Sequence, residues 1–212
     1  ATASDAGSPV TGSGVNTYAW TQISGPGLGT VAFSNPSGTG TSVDTNISAD
    51  TDGTYVLRLT VTDNAGNSAL DEMTFIWDTT PPEPRFSSPF NGATGVSIAD
   101  GMATVTYSEP IVLLDSSEVF LDDPAEISHK GTVVVSGINP KVLNIDYSGL
   151  AYGTNYHINV EAGNVLTGVG AAVRDVAGNW AHQSWASNFT TEIDTIPPVV
   201  NWFDANPVTD VS

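Results

Sequence analysis

Cysteine is absent from this chain, and positive charge nearly so: five Lys and Arg stand against 23 Asp and Glu, a net charge of −18. Without cysteine there is no disulfide scaffold and no thiolate metal site. Export remains compatible with that absence, because domains near a hundred residues can stand on their own cores. A nucleic-acid partner is excluded, since phosphate binding needs clustered cations. Anionic membrane surfaces are disfavoured for the same reason. No run approaches the roughly 20 apolar residues of a membrane-spanning helix, so no membrane insertion is expected. No leader is visible at Ala1, so an export signal is expected outside this sequence. Histidine is scarce as well. His129, His157 and His182 are far apart, none stands in an H-E-x-x-H pattern, and no G-x-S-x-G elbow occurs. Acidic pairs are numerous, but 23 acids guarantee chance pairs, and glycoside hydrolysis needs two carboxylates across a cleft. The chain is expected not to be an enzyme.

Glycine (21) and proline (13) are plentiful and cluster between short β-rich runs. Tyr55–Thr62 alternates, with Tyr55, Leu57, Leu59 and Val61 on one face and Val56, Arg58, Thr60 and Thr62 on the other. Met102–Tyr107, Thr132–Ser136, Val142–Asp146 and Tyr156–Val160 read as further strands. His157 falls on the outward side of its strand. No window carries a helical period with caps at both ends, and Asp115–Ala125 has room for one helical turn at most. Many short strands with Gly and Pro turns predict an all-β chain built of sandwiches.

Two motifs recur in the same order. Asp63-Asn-Ala-Gly-Asn67 returns as Asp175-Val-Ala-Gly-Asn179, and Asp78-Thr-Thr-Pro-Pro82 returns as Asp194-Thr-Ile-Pro-Pro198. A period near a hundred residues fits one small domain per repeat. Tyr18-Ala-Trp20-Thr-Gln-Ile-Ser-Gly-Pro26, followed by Asp52-Gly-Thr-Tyr55 and the run to Asn67, resembles a PKD-like or bacterial Ig-like domain. The resemblance implies a core tryptophan at Trp20 and a tyrosine corner at Tyr55. A longer succession is similar to the S-layer-type bacterial Ig-like domain: Asp78–Pro82, Ser88–Val96, Tyr107–Ile111, Leu150–Tyr156, Asp175–Asn179 and Asn188–Thr191. Together these imply two tandem immunoglobulin-like β-sandwiches joined by a Pro-Pro linker: a PKD-like unit at 1–77 and an S-layer-type unit at 78–193. Residues 194–212 read as a linker and the opening strand of a further domain. Ala1–Asp5 reads as the second strand of its sandwich, with the first strand missing. Two explanations stand for these ends: the choice of fragment, or a tail strand of one copy filling the gap in the next.

In an Ig-like sandwich the turn at Asp175–Asn179 would lie at the pole beside the incoming linker, with Glu109. Asp50 and Asp52 would face that linker from the preceding domain. Asp50, Asp52, Asp78, Glu109, Asp175 and Asn179 are therefore candidate calcium ligands at a domain junction. Oxygen-only ligands suit calcium and not zinc. The same residues also have a plain reading, because Asp-x-Ala-Gly-Asn makes a good turn unaided. Pro81-Pro82 and Pro197-Pro198 favour extended, semi-rigid spacing, or they simply end a strand.

The function expected is a structural module of a repetitive extracellular or cell-surface protein, an adhesin stalk or surface layer. It would space or project other domains, with neighbouring Ig-like domains of the same chain as partners. Two alternatives remain. One is a subunit self-assembling with copies of itself through strand donation by Val199–Ser212. The other is an accessory or carbohydrate-binding module of a secreted polysaccharide-degrading enzyme, in which Trp180 or Trp185 would stack on sugar; Trp77, Trp180, Trp185 and Trp202 otherwise read as core or junction packing. Asn46-Ile-Ser48 and Asn188-Phe-Thr190 satisfy the N-glycosylation sequon. Lys130 and Lys141 are the two lysines available for an internal isopeptide bond, but neither stands in a pattern that indicates one.

Overall fold

The computed structural model describes residues 14–40, 43–164, 167 and 169–200. The expected strand at Ala1–Asp5 and the whole tail after Val200, Trp202 included, lie outside the described residues. The chain divides into two compact units. One holds residues up to Pro82 with the loop Asp175–Asn179, and the other holds Glu83–Arg174 and the residues from Trp180 onward.

The first unit contains β1 (Val15–Ser24), β2 (Val31–Phe33), β3 (Ser37–Thr39), β4 (Ile47–Ala49), β5 (Gly53–Asp63) and β6 (Ser68–Trp77). Four strands form an antiparallel sheet in the order β3-β1-β5-β6, and β2 pairs with β4. The alternation in β5 sorts as its sequence dictates. Tyr55 and Leu57 are fully buried, while Leu59 and Val61 pack half-buried against the core. Trp20 occupies the centre of that core. Its ring stacks on Phe33 at 6.3 Å between centroids, and its Nε1–H donates to the Val43 carbonyl at 2.9 Å. The bond matters because a buried indole N–H left unpaired would cost about 1–3 kcal/mol. The Tyr55 hydroxyl donates to the Thr51 carbonyl at 2.6 Å, forming the tyrosine corner. Burial, and then the neighbouring Asp50 charge, push that phenol above its usual pKa. Gly53 is required at this corner. Its φ is 150°, and a Cβ there would sit 2.7 Å from Cγ of Pro26.

The second unit contains β7 (Pro84–Ser88), β8 (Ala93–Val96), β9 (Gly101–Tyr107), β10 (Ile111–Leu113), β11 (Val119–Asp122), β12 (Lys130–Val135), β13 (Val142–Tyr147), β14 (Asn155–Val160), β15 (Val173–Asp175) and β16 (Trp185–Thr191). Two four-stranded sheets, β12-β13-β9-β7 and β11-β14-β16-β8, form its two main layers, with β10-β15 as a short third sheet. β8 joins β16 in parallel, while β14 joins it antiparallel. The core is one cluster drawn from both main sheets. Val105, Leu143 and Ile145 come from one, and Leu121, Tyr156, Ile158 and Phe189 from the other, all at most 1% exposed. Phe189 stacks on Tyr156 at 5.6 Å and meets Tyr147 at 6.3 Å. The Tyr156 hydroxyl accepts from the Ala151 amide at 2.8 Å. This is a corner like that of Tyr55 with the hydrogen bond reversed.

The stretch Asp115–Ala125 holds one 3₁₀ turn, Ser116–Glu118, capped by Asp115, whose carboxylate accepts from the Ser117 amide at 2.8 Å. The four residues after it are strand β11, too short a run to be read from periodicity. His157 points outward and is exposed. Both lysines donate to main-chain carbonyls: Lys130 Nζ to Ser116 (2.6 Å) and Val119, and Lys141 Nζ to Ser108 (2.8 Å).

Candidate functional site

The repeated Asp-x-Ala-Gly-Asn string makes the same turn twice. In the first copy the Asp63 carboxylate accepts from the Ala65 and Asn67 amides, both at 2.8 Å, and from Asn67 Nδ2 at 2.9 Å. In the second, Asp175 accepts from the Gly178 and Asn179 amides at 2.6 and 2.8 Å, and from Asn179 Nδ2 at 2.7 Å. Gly66 and Gly178 both have positive φ, 90° and 108°. The aspartate closes the turn and the glycine takes the left-handed step, so local chemistry alone explains the string.

Environment separates the copies. Asp63 is half-buried and Asn67 exposed, whereas Asp175 is 1% exposed and Asn179 half-buried. Asn179 Nδ2 also donates to the Asp78 carbonyl at 3.0 Å, tying the turn to the start of the linker. Carboxylate oxygens of Asp78 and Asp175 lie within 4.8 Å of one another. Both residues are at least half-buried. A carboxylate offers about four lone-pair sites. Asp175 uses two on Oδ1 and one on Oδ2 for its own turn, which leaves an Oδ2 site for a further partner.

Of the other predicted ligands, Asp50 and Asp52 are bonded to partners of their own. Glu109 lies in the second unit between β9 and β10 and is half-buried. Asp50 accepts from the Thr30 amide at 2.8 Å and from its hydroxyl at 2.6 Å. Both oxygens of Asp52 are taken by the linker: the Thr79 amide and hydroxyl bond Oδ1 at 2.9 and 2.8 Å, and the Thr80 hydroxyl bonds Oδ2 at 2.5 Å. Thr79 and Thr80 were not singled out in the sequence. Their one signal is two hydroxyls directly before Pro81-Pro82, and the repeat keeps only the first, as Thr195-Ile196.

The bonds from Thr80, then Thr79, hold the Asp52 carboxyl below its usual pKa. A depressed folded value means a contribution present above the unfolded pKa and lost as pH falls through the folded one. Acidification from about pH 4 downward is therefore expected to release Thr79 and Thr80. The check is an NMR titration following the Thr79 amide, with Asp52→Asn as reference. A Thr79 shift that titrates identically in Asp52→Asn would remove the tether.

Trp77, Trp180 and Trp185 are all half-buried and differ in their partners. Trp185 packs against the second core and donates Nε1–H to Ser187 Oγ at 3.3 Å. Trp77 closes a tilted row with Phe75 and Tyr55, and Trp180 lies under the Arg174 guanidinium at 5.9 Å. No helix among the described residues is long and apolar enough to cross a membrane.

Known proteins resemble the chain in two stretches. Residues 2–76 match the family described as "K319L-like, PKD domain". No curated protein matches the chain. Among solved structures, CopC from Methylosinus trichosporium OB3b is similar at 12% identity and a TM-score of 0.39, covering 55% of this chain and 99% of its own. Residues 78–191, more than half of the sequence, match the Bacterial Ig-like domain, so the chain belongs to the bacterial Ig-like domain family, with a PKD-type domain in tandem before it.

Proposed function

We propose that this chain is a non-catalytic spacer segment of a repetitive, exported surface protein. The observation that carries the reading is the serial order itself. A PKD-type unit is followed by a bacterial Ig-like unit, and the linker string Asp78–Pro82 is written again at Asp194–Pro198. Domains of these two kinds are generally structural rather than catalytic, and function has to be argued from a site. The surplus of acid suits an exterior where salt and divalent cations screen self-repulsion. Antibodies raised against the chain are expected to label intact cells of the source organism. Labelling only after lysis would overturn the surface assignment.

Calcium belongs to the same proposal. Ca²⁺ binds oxygens at about 2.3–2.6 Å, so two ligands of one ion stand at most about 5 Å apart, and the Asp78 and Asp175 carboxylates meet that limit. Asp78, and Asp175 through its remaining Oδ2 site, are the carboxylates assigned to the ion. A bound cation would neutralise paired acids and stiffen the linker Asp78–Pro82 against the loop Asp175–Asn179. Calorimetric titration is expected to show binding at about 10⁻⁴–10⁻³ M, the range of extracellular modules, weakened at least tenfold in Asp78→Ala. Absence of binding heat, together with an unchanged unfolding temperature in excess calcium, would remove the ion and leave the spacer reading standing.

A further inference from the structure

We propose that Asn46 is an acceptor for N-linked glycan, and that Asn188, which carries the same sequon, is not. Sequence alone does not separate the two sites, but their positions in the fold do.

From Asp44 to Asp50 the chain alternates strictly in exposure. Asp44, Asn46, Ser48 and Asp50 are exposed, while Thr45, Ile47 and Ala49 are half-buried. Extended backbone places residues i and i+2 on one face. Asn46, directly before β4, and Ser48 within it, the two residues a transferase reads, therefore share the solvent face of this segment. This strand has three residues, and among the described residues it pairs only with the three-residue β2. The backbone is anchored by other groups: the Asn46 amide donates to Ser34 Oγ at 2.8 Å, and its carbonyl accepts from the Ser34 amide at 3.0 Å. The side-chain amide is not needed for the fold. Asp44 stands two residues before Asn46, so the segment reads Asp-Thr-Asn-Ile-Ser.

Asn188 has the opposite setting. It lies within β16, flanked by β14 and β8 and set between the buried Ser187 and Phe189. Its amide donates to Asn91 Oδ1 at 3.0 Å and its carbonyl accepts from the Gly92 amide at 2.7 Å. Freeing it would require opening one of the two main sheets of the second unit.

In the reaction the Asn46 side-chain nitrogen attacks the anomeric carbon of a polyprenyl-diphosphate-linked oligosaccharide. The N–C bond forms, the C–O bond to the diphosphate breaks, the lipid diphosphate leaves, and an amide proton passes to a base of the transferase. No change of oxidation state is involved. A glycan there would be bulky and solubilising, and would cover the solvent side of the β2–β4 sheet.

The test expresses the whole chain with an export signal in bacteria that carry an oligosaccharyltransferase and its lipid-linked glycan, alongside a known acceptor protein. Peptide mass spectrometry is expected to find one glycan mass on the peptide containing Asn46 and none on the peptide containing Asn188. Asn46→Gln and Ser48→Ala should each abolish the modified form, and Asn188→Gln should leave it unchanged. An unmodified Asn46 in cells that glycosylate the control acceptor would overturn the proposal. Glycan on Asn188 would overturn it too.

Discussion

Replacing Trp20 with alanine is expected to abolish the first unit's unfolding transition at ambient temperature or lower it by more than ~10 °C. Truncating a buried aromatic costs about 3–5 kcal/mol. Here the indole also satisfies the Val43 carbonyl and stacks on Phe33. The core around it is small: Tyr18, Trp20 and Val43 are its buried members, supported by Phe33, Leu59 and Val61. Stabilities of domains this short fall near the lower part of the ~5–15 kcal/mol range, and each kcal/mol moves the midpoint by about 4–8 °C. Scanning calorimetry checks this, since the second unit's transition should stay in place. A shift below about 4 °C would show that Trp20 is not the anchor of the unit.

Phe189→Ala is expected to cost a similar ~3–5 kcal/mol but to leave the second unit folded. Phe189 is fully buried and faces both Tyr156 and Tyr147, so its removal opens a cavity between the two layers. The surrounding cluster is several times larger than that of the first unit, and the remaining contacts hold both sheets together. The readout is a lower midpoint in denaturant with an unchanged slope, because the surface exposed on unfolding is nearly the same. Phe189→Leu should recover most of the loss. Complete unfolding of Phe189→Ala would mean that the layers depend on this one ring.

The features legible in the sequence were those written by local periodicity or local turn chemistry. Tyr55, Leu57, Leu59 and Val61 alternate, and a half-buried strand has little choice about which face they occupy. The Asp63 and Asp175 turns close within five residues, so their hydrogen bonds follow from the string itself. Trp20 and Tyr55 were placed by resemblance, and their partners Val43 and Thr51 had to come from the fold. The Tyr156 corner shows the limit of such transfer: a phenol can donate or accept, and the nearest backbone group decides, here the Ala151 amide. The bonds from Thr79 and Thr80 to Asp52 span 27 and 28 residues. They depend on how β5 and β6 pair, information that no window of sequence holds. For the acidic residues, sequence named many carboxylates, and placement separates those tied to Thr30, Thr79 or Thr80 from the Asp78 and Asp175 pair.

The parallel pairing of β8 with β16 bears on how the second unit would carry tension. β8 lies near the entry of the unit and β16 near its exit. They run in the same direction, so pulling the chain at both ends draws the two strands apart along their length. The Gly92 amide bonded to the Asn188 carbonyl and the Glu192 amide bonded to the Val96 carbonyl would then be strained together rather than one after another. Loading in shear raises the force needed for rupture above that of an unzipping hairpin. A few short parallel bonds beside the exit strand would thus act as a mechanical latch.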